Sequence, residues 1–141
     1  MISNLNSSQV KIIPALSAVA LAAAGSSNAV DLSGFTGGML IVSHGSTPAT
    51  TGLAVNLLRS GTSDGTFAGW GASLPAVKTN GQVATRSFAI NTSAVWHKIS
   101  YDGNNGGSHI TAVTILAYNG RNEPVPSQHT SVTGYSDVLS G

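Results

Sequence analysis

The sequence predicts an all-β protein: a single antiparallel β-sandwich, jelly-roll or immunoglobulin-like, with extended N- and C-terminal arms. Three observations lead there. Short apolar or β-branched runs recur between clusters of Gly, Ser, Asn and Asp, giving seven or eight strand candidates. No stretch carries a strong amphipathic helical period, and no internal repeat is present. The 141 residues include 17 glycines yet are 41% hydrophobic, so turns are plentiful while enough apolar surface remains for one ordered core. Many short strands joined by Gly-rich turns in a chain of one-domain length pack as two antiparallel sheets.

The elements follow in order. Residues 1–13 read as an N-terminal arm, mostly polar at first with isolated Ile2, Leu5 and Val10. The sandwich domain spans 14–125. Small and larger apolar residues alternate from Ser17 to Ala23; alanine favours a helix there, but the short length and the Gly25-Ser26-Ser27-Asn28 turn cluster favour a strand. Val30 and Leu32 flank Asp31 in a short, edge-like strand that ends at Gly34. Met39-Leu40-Ile41-Val42, an unbroken apolar run between Gly38 and Gly45, predicts a strand buried on both faces. A loop begins at His44-Gly45-Ser46-Thr47-Pro48, and Leu53 to Leu58 forms the next strand. Asp64-Gly65, between Ser60 and Phe67, predicts a tight turn with glycine at positive φ. Gly69-Trp70-Gly71 reads as a loop. Val83 to Ile90 and Ala94 to Tyr101 predict a strand pair around Asn91-Thr92-Ser93. In the second of these, Val95, His97, Ile99 and Tyr101 share one face and Trp96, Lys98 and Ser100 the other. Asp102 to Gly107 is a loop. Ile110 to Tyr118 is a β-branched strand with Ile110, Thr114, Leu116 and Tyr118 opposite Val113 and Ile115. The pattern stops after Pro124, and residues 126–141 form a polar C-terminal arm.

Lys11 and the apolar run Ile12 to Ala24, with small residues as far as Ala29, imitate a secretory signal peptide. One positive side chain after ten mostly polar residues is a poor start for one. The run is also shorter than the roughly 20 apolar residues that span a bilayer. No membrane role is expected.

Charged residues make up 8% of the chain, against roughly 25% in an ordinary soluble domain. A surface so poor in Lys and Glu is cheap to desolvate and suits association with protein. The net charge is +1, and Lys11, Arg59, Lys78, Arg86, Lys98 and Arg121 are scattered, which argues against direct binding of nucleic acid. With no cysteine, disulfides and thiolate chemistry are excluded. His44, His97, His109 and His129 lie far apart without metal-ligand spacing. Asp64 and Asp102 sit in turns, where an aspartate binds nearby backbone N–H groups; Asp31 beside Gly34 is given the same task. Asp137 and Glu123 have no evident acid–base partner. Ser43-His44 lacks the Gly-x-Ser-x-Gly elbow of a serine hydrolase. No catalytic, cofactor-binding or metal-binding residue is therefore assigned, no cofactor is expected, and the protein is read as not an enzyme. Two tryptophans remain. Trp96, in mid-strand, is assigned to core packing or a subunit contact. Trp70, between two glycines, is either a lid over the sandwich end or an exposed platform for a sugar.

Several short pieces stand in a telling order: an apolar-small first strand, Val30-Asp31-Leu32-x-Gly34-Phe35, a strand ending at Ser60, Asp64-Gly65-Thr66-Phe67, Trp96 with Lys98, and Arg121 with Pro124-Val125. Over roughly residues 14–126 this series resembles a family of small all-β structural proteins, of capsid decoration or cement type, encoded among the capsid and tail genes of tailed bacteriophages. Gly61-Thr62-Ser63 departs from the further acidic residues common there, as does the longer tail after Val125. The resemblance implies a non-enzymatic virion protein on the capsid exterior that binds and stabilises the lattice of the major capsid protein as a homo-oligomer, by analogy a trimer. A head–tail connector or tail component is the alternative within that class. A carbohydrate-binding module on the particle surface is the alternative outside it.

Overall fold

A computed structural model describes residues 10–21, 24–46, 53–77, 83–102 and 109–120. They form nine strands: β1 (Lys11–Leu21), β2 (Gly25–Ser26), β3 (Val30–Asp31), β4 (Phe35–Ser46), β5 (Leu53–Ser60), β6 (Ala68–Val77), β7 (Val83–Ala89), β8 (Trp96–Asp102) and β9 (His109–Gly120). The first sheet has the order β1-β9-β4-β7. The second has the order β2-β8-β5-β6, with β3 also pairing β8. All pairings are antiparallel.

The connectivity separates the two sandwich types expected. If β2 and β3 count as one interrupted strand, the chain has eight positions, and four of the pairings nest first with last. These are β1 with β9, β2/β3 with β8, β4 with β7, and β5 with β6. A long hairpin rolled up in this way is a jelly roll of two four-position sheets, not an immunoglobulin sandwich. Val83–Ile90 and Ala94–Tyr101, expected to pair, therefore lie in different sheets. The turn between them closes with Ala94 N–H donating to the Asn91 carbonyl at 3.0 Å, and it carries the chain from one sheet to the other.

The core lies between the sheets. Ile13, Leu40, Val42, Phe88, Val113, Ile115 and Ala117 of the first sheet meet Val55, Leu57 and Ile99 of the second, with Leu32, Phe35 and Ile90 closing one end. Alternation decides who enters: Val113, Ile115 and Ala117 are buried, whereas Thr114, Leu116 and Tyr118 point the other way, as the sequence pattern predicts. The Met39–Val42 run behaves differently from expectation. Leu40 and Val42 are buried at 1% exposure, but Met39 and Ile41 are only half-buried, because among the described residues no further layer covers the outer face of this sheet. The expected arm also ends earlier than residue 13. Ile13 pairs with Ile115 and is 2% exposed, so Lys11 to Ile13 belong to β1. Pro14 is tolerated because β1 is an edge strand whose register shifts between Pro14 and Leu16. Residues 1–9 and the C-terminal arm, 126–141, lie outside the described residues.

Two turns show different uses of glycine. Gly34 has φ of 86° in the turn closed by Phe35 N–H to the Leu32 carbonyl, as the third residue of a type II turn requires. Gly65, expected at positive φ, is instead the last residue of a turn closed onto the Thr62 carbonyl at 3.4 Å. A side chain there would meet the hydroxyls of Thr62 and Ser60.

Candidate interaction surfaces

The two outer faces differ in chemistry. On the first sheet the outward positions are Ile12 and Pro14 of β1, Thr114, Leu116 and Tyr118 of β9, Met39 and Ile41 of β4, and Val83, Thr85 and Ser87 of β7. They follow one register: Ile12 faces Leu116, which faces Met39, which faces Ser87; Pro14 faces Thr114, which faces Ile41, which faces Thr85. Among the described residues no charged side chain stands on this face. Val83 at its edge is 60% exposed, and the other large apolar side chains are half-buried by their neighbours. Gly37 leaves room for the Tyr118 ring to lie over the backbone, and the Tyr118 hydroxyl donates to the Gly38 carbonyl at 3.3 Å.

The second sheet carries Asp31, Arg59 and Lys98 and most of the ordered sequence pieces. On the outer side of β8, Trp96 pairs across with Asp31, and Lys98 Nζ sits 4.6 Å from the centre of the Phe67 ring. Three separate pieces of sequence (Val30-Asp31-Leu32, Asp64-Gly65-Thr66-Phe67 and Trp96 with Lys98) thus converge on one strand. Asp31 works as expected, its Oδ1 accepting from Ser33 N–H at 2.8 Å and fixing the entry to the Gly34 turn. Asp64 is exposed in the β5–β6 connection. Trp96 is half-buried and takes no place in the core, which removes core packing from its two expected roles, core packing or a subunit contact: its neighbours His97 and Ile99 fill the inward positions. Gly69-Trp70-Gly71, expected in a loop, lies within β6.

The histidines do not gather. His44 is 2% exposed at the far end of β4, with Nδ1 3.0 Å from the Thr111 hydroxyl. His97 is fully buried at the start of β8, its ring centre 5.5 Å from that of Phe88. Its Nδ1 donates to the Val95 carbonyl at 3.0 Å. Burial lowers the His97 pKa below 6.5, the Val95 hydrogen bond opposes that shift, and the Arg59 charge adds to it. Both rings are buried among core residues, and His97 is held neutral. Among the described residues no three His, Asp or Glu side chains come together as a metal site. The side chains of His109, Asp102 and Trp70, together with His129, Asp137, Glu123 and the Arg121-Pro124-Val125 piece, lie outside the described residues.

One grouping escaped the sequence pattern. Lys11, Asp31 and Trp96 border a common hollow at the sandwich edge. Only jelly-roll pairing, which sets β1 beside β3 across the two sheets, brings Lys11 there, and no local spacing announces it. Comparison with known proteins found no matching family model, no matching curated protein and no matching solved structure. The likeness to phage structural proteins therefore rests on the sequence pieces themselves.

Proposed function

We propose that the chain is a non-enzymatic virion structural protein that decorates the exterior of a bacteriophage capsid and binds the major capsid protein lattice. The observation that carries this is the uncharged outer face of the β1-β9-β4-β7 sheet. Placing such a face against protein desolvates hydroxyls and apolar groups and no ionised side chain, so it avoids the several kcal/mol that each unpaired buried charge costs. The jelly roll is an architecture that capsid proteins use, although fold alone assigns no function.

Size sets how the face must be used. Four strands about 4.8 Å apart, paired over seven residues of about 3.3 Å each, present roughly 450 Å². A stable interface takes roughly 800 Å² from each partner. One copy therefore supplies about half of what is needed. A homo-oligomer, a trimer by analogy, or the terminal residues 1–9 and 126–141 would supply the rest.

The test is particle binding by a variant charged at the centre of the face. Thr114→Lys places an ammonium between Pro14 and Ile41, where a lone chain can keep it hydrated. It is expected to fold normally by circular dichroism and to bind depleted particles at least about a hundredfold more weakly, since burying an unpaired charge costs roughly 3 kcal/mol or more. Thr66→Lys, exposed in the β5–β6 connection, should bind as the parent does. Equal binding by Thr114→Lys and the parent would sink the proposal.

A further inference from the structure

Between β1, at the edge of one sheet, and the β3–β8 pair of the other lies a hollow of about 260 Å³ lined by Lys11, Ile13, Ala29, Val30, Asp31 and Trp96. It falls just under the roughly 300–1,000 Å³ of sites for larger organic ligands, which suits one six-membered ring. The lining divides by chemistry. Ile13, Ala29 and Val30 give an apolar floor, and the half-buried Trp96 gives an aromatic wall. Asp31 and Lys11 bring opposite charges to the same space, yet they form no ion pair with each other. The Asp31 carboxylate is already oriented, because Oδ1 takes the Ser33 N–H; its second oxygen makes no hydrogen bond to another described residue.

We propose that this hollow binds a single pyranose ring of a neutral saccharide. An aromatic wall and apolar floor suit the C–H face of the ring. A carboxylate that only accepts and an ammonium that only donates suit hydroxyls, which do both. A ligand of net charge would gain from one of Asp31 and Lys11 and be repelled by the other, so the pocket disfavours anions and cations; a zwitterion could satisfy both charges and is the competitor that a neutral sugar must beat. The site is independent of the proposed capsid role, since it lies at the sandwich edge and not on the uncharged sheet face.

The experiment is an NMR titration of the full chain with the methyl glycosides of glucose, galactose, mannose and N-acetylglucosamine, with glycine as a zwitterionic probe and inorganic phosphate as an anionic one. The expected result is saturable shifts at the Trp96 indole and the Val30 and Asp31 amides with at least one glycoside, at a Kd on the order of 1 mM. Trp96→Ala should abolish them. Asp31→Asn, which keeps an oxygen for the Ser33 amide and so keeps the turn, should weaken binding about tenfold through loss of a charge-assisted hydrogen bond. Failure of every glycoside to saturate would overturn the proposal. So would affinity unchanged in Asp31→Asn, or tighter binding of glycine or phosphate than of any sugar.

Discussion

Gly38 faces the core, and the Phe88 ring of the paired strand lies where its side chain would be. Phe88 is 7% exposed and stands against the His97 ring of the opposite sheet. A methyl group at Gly38 therefore cannot be met by a small shift, because the ring has the second sheet behind it. Gly38→Ala must move the ring off its contact with His97 or part the two strands. Overpacking of this kind costs about 1–3 kcal/mol, and the reduced freedom of alanine in the unfolded chain returns about 0.4–1 kcal/mol. The net destabilisation expected is about 1.3 kcal/mol. For a domain of this size that lowers Tm by roughly 3–6 °C. The assay is chemical and thermal unfolding of a double-mutant cycle with Phe88→Leu, whose smaller side chain leaves room for the added methyl. The double variant should be more stable than the sum of the single effects predicts by at least about 1 kcal/mol. A neutral Gly38→Ala, or additive effects, would refute the claim that this glycine exists to admit the ring.

Other expectations follow from the same structure. Ser27 spans the gap between β2 and β3: its N–H donates to the Ile99 carbonyl at 2.9 Å and its hydroxyl accepts from Ile99 N–H at 3.0 Å. Ile99 is fully buried, so Ser27→Ala strands a backbone donor and should cost about 1–3 kcal/mol in urea unfolding, with Ser27→Thr close to the parent. Gly34→Ala meets no steric obstacle but forces a side chain into positive φ, and should cost about 1–2 kcal/mol, with Gly34→Asn costing less. His97 is held neutral with its folded pKa below 6.5, so the folded state binds fewer protons than the unfolded one. Its contribution is complete above pH 6.5 and is lost as the pH falls through the folded value. The decline in Tm on acidification should accordingly be shallower in His97→Gln than in the parent.

Local chemistry made much of the fold legible in advance, and the errors are instructive. Alternation in the described side chains of Ile110–Tyr118, from Thr111 onward, and in Val95–Tyr101 assigned the inward and outward faces correctly, because one side of each strand meets the core. The same signal fails for Met39–Val42, where every residue is apolar. Such a run does not say whether a second layer exists, and here no described residue forms one over the outer face. Tight-turn chemistry at Asn91-Thr92-Ser93 suggested a hairpin, yet a short turn can equally carry a chain across the core, and only the pairing of β7 with β4 decides. Gly69-Trp70-Gly71 looked like a loop because glycines punctuate; on the edge strand β6, paired with a shifted register to β5, they extend it. Sequence pieces alone put Asp31 in its turn, but the meetings of Asp31 with Trp96 and of Phe67 with Lys98 depend on long-range pairing. Lys11 in the hollow depends on it entirely.

The central claim is assembly on a capsid, and the most direct measurement is the copy number of this chain in purified particles, quantified by mass spectrometry against the major capsid protein. A decoration protein predicts on the order of hundreds of copies in a fixed ratio to the capsid subunit, as lattice symmetry demands. About six or twelve copies would place it in a connector ring instead. Absence from the particle would contradict the account outright.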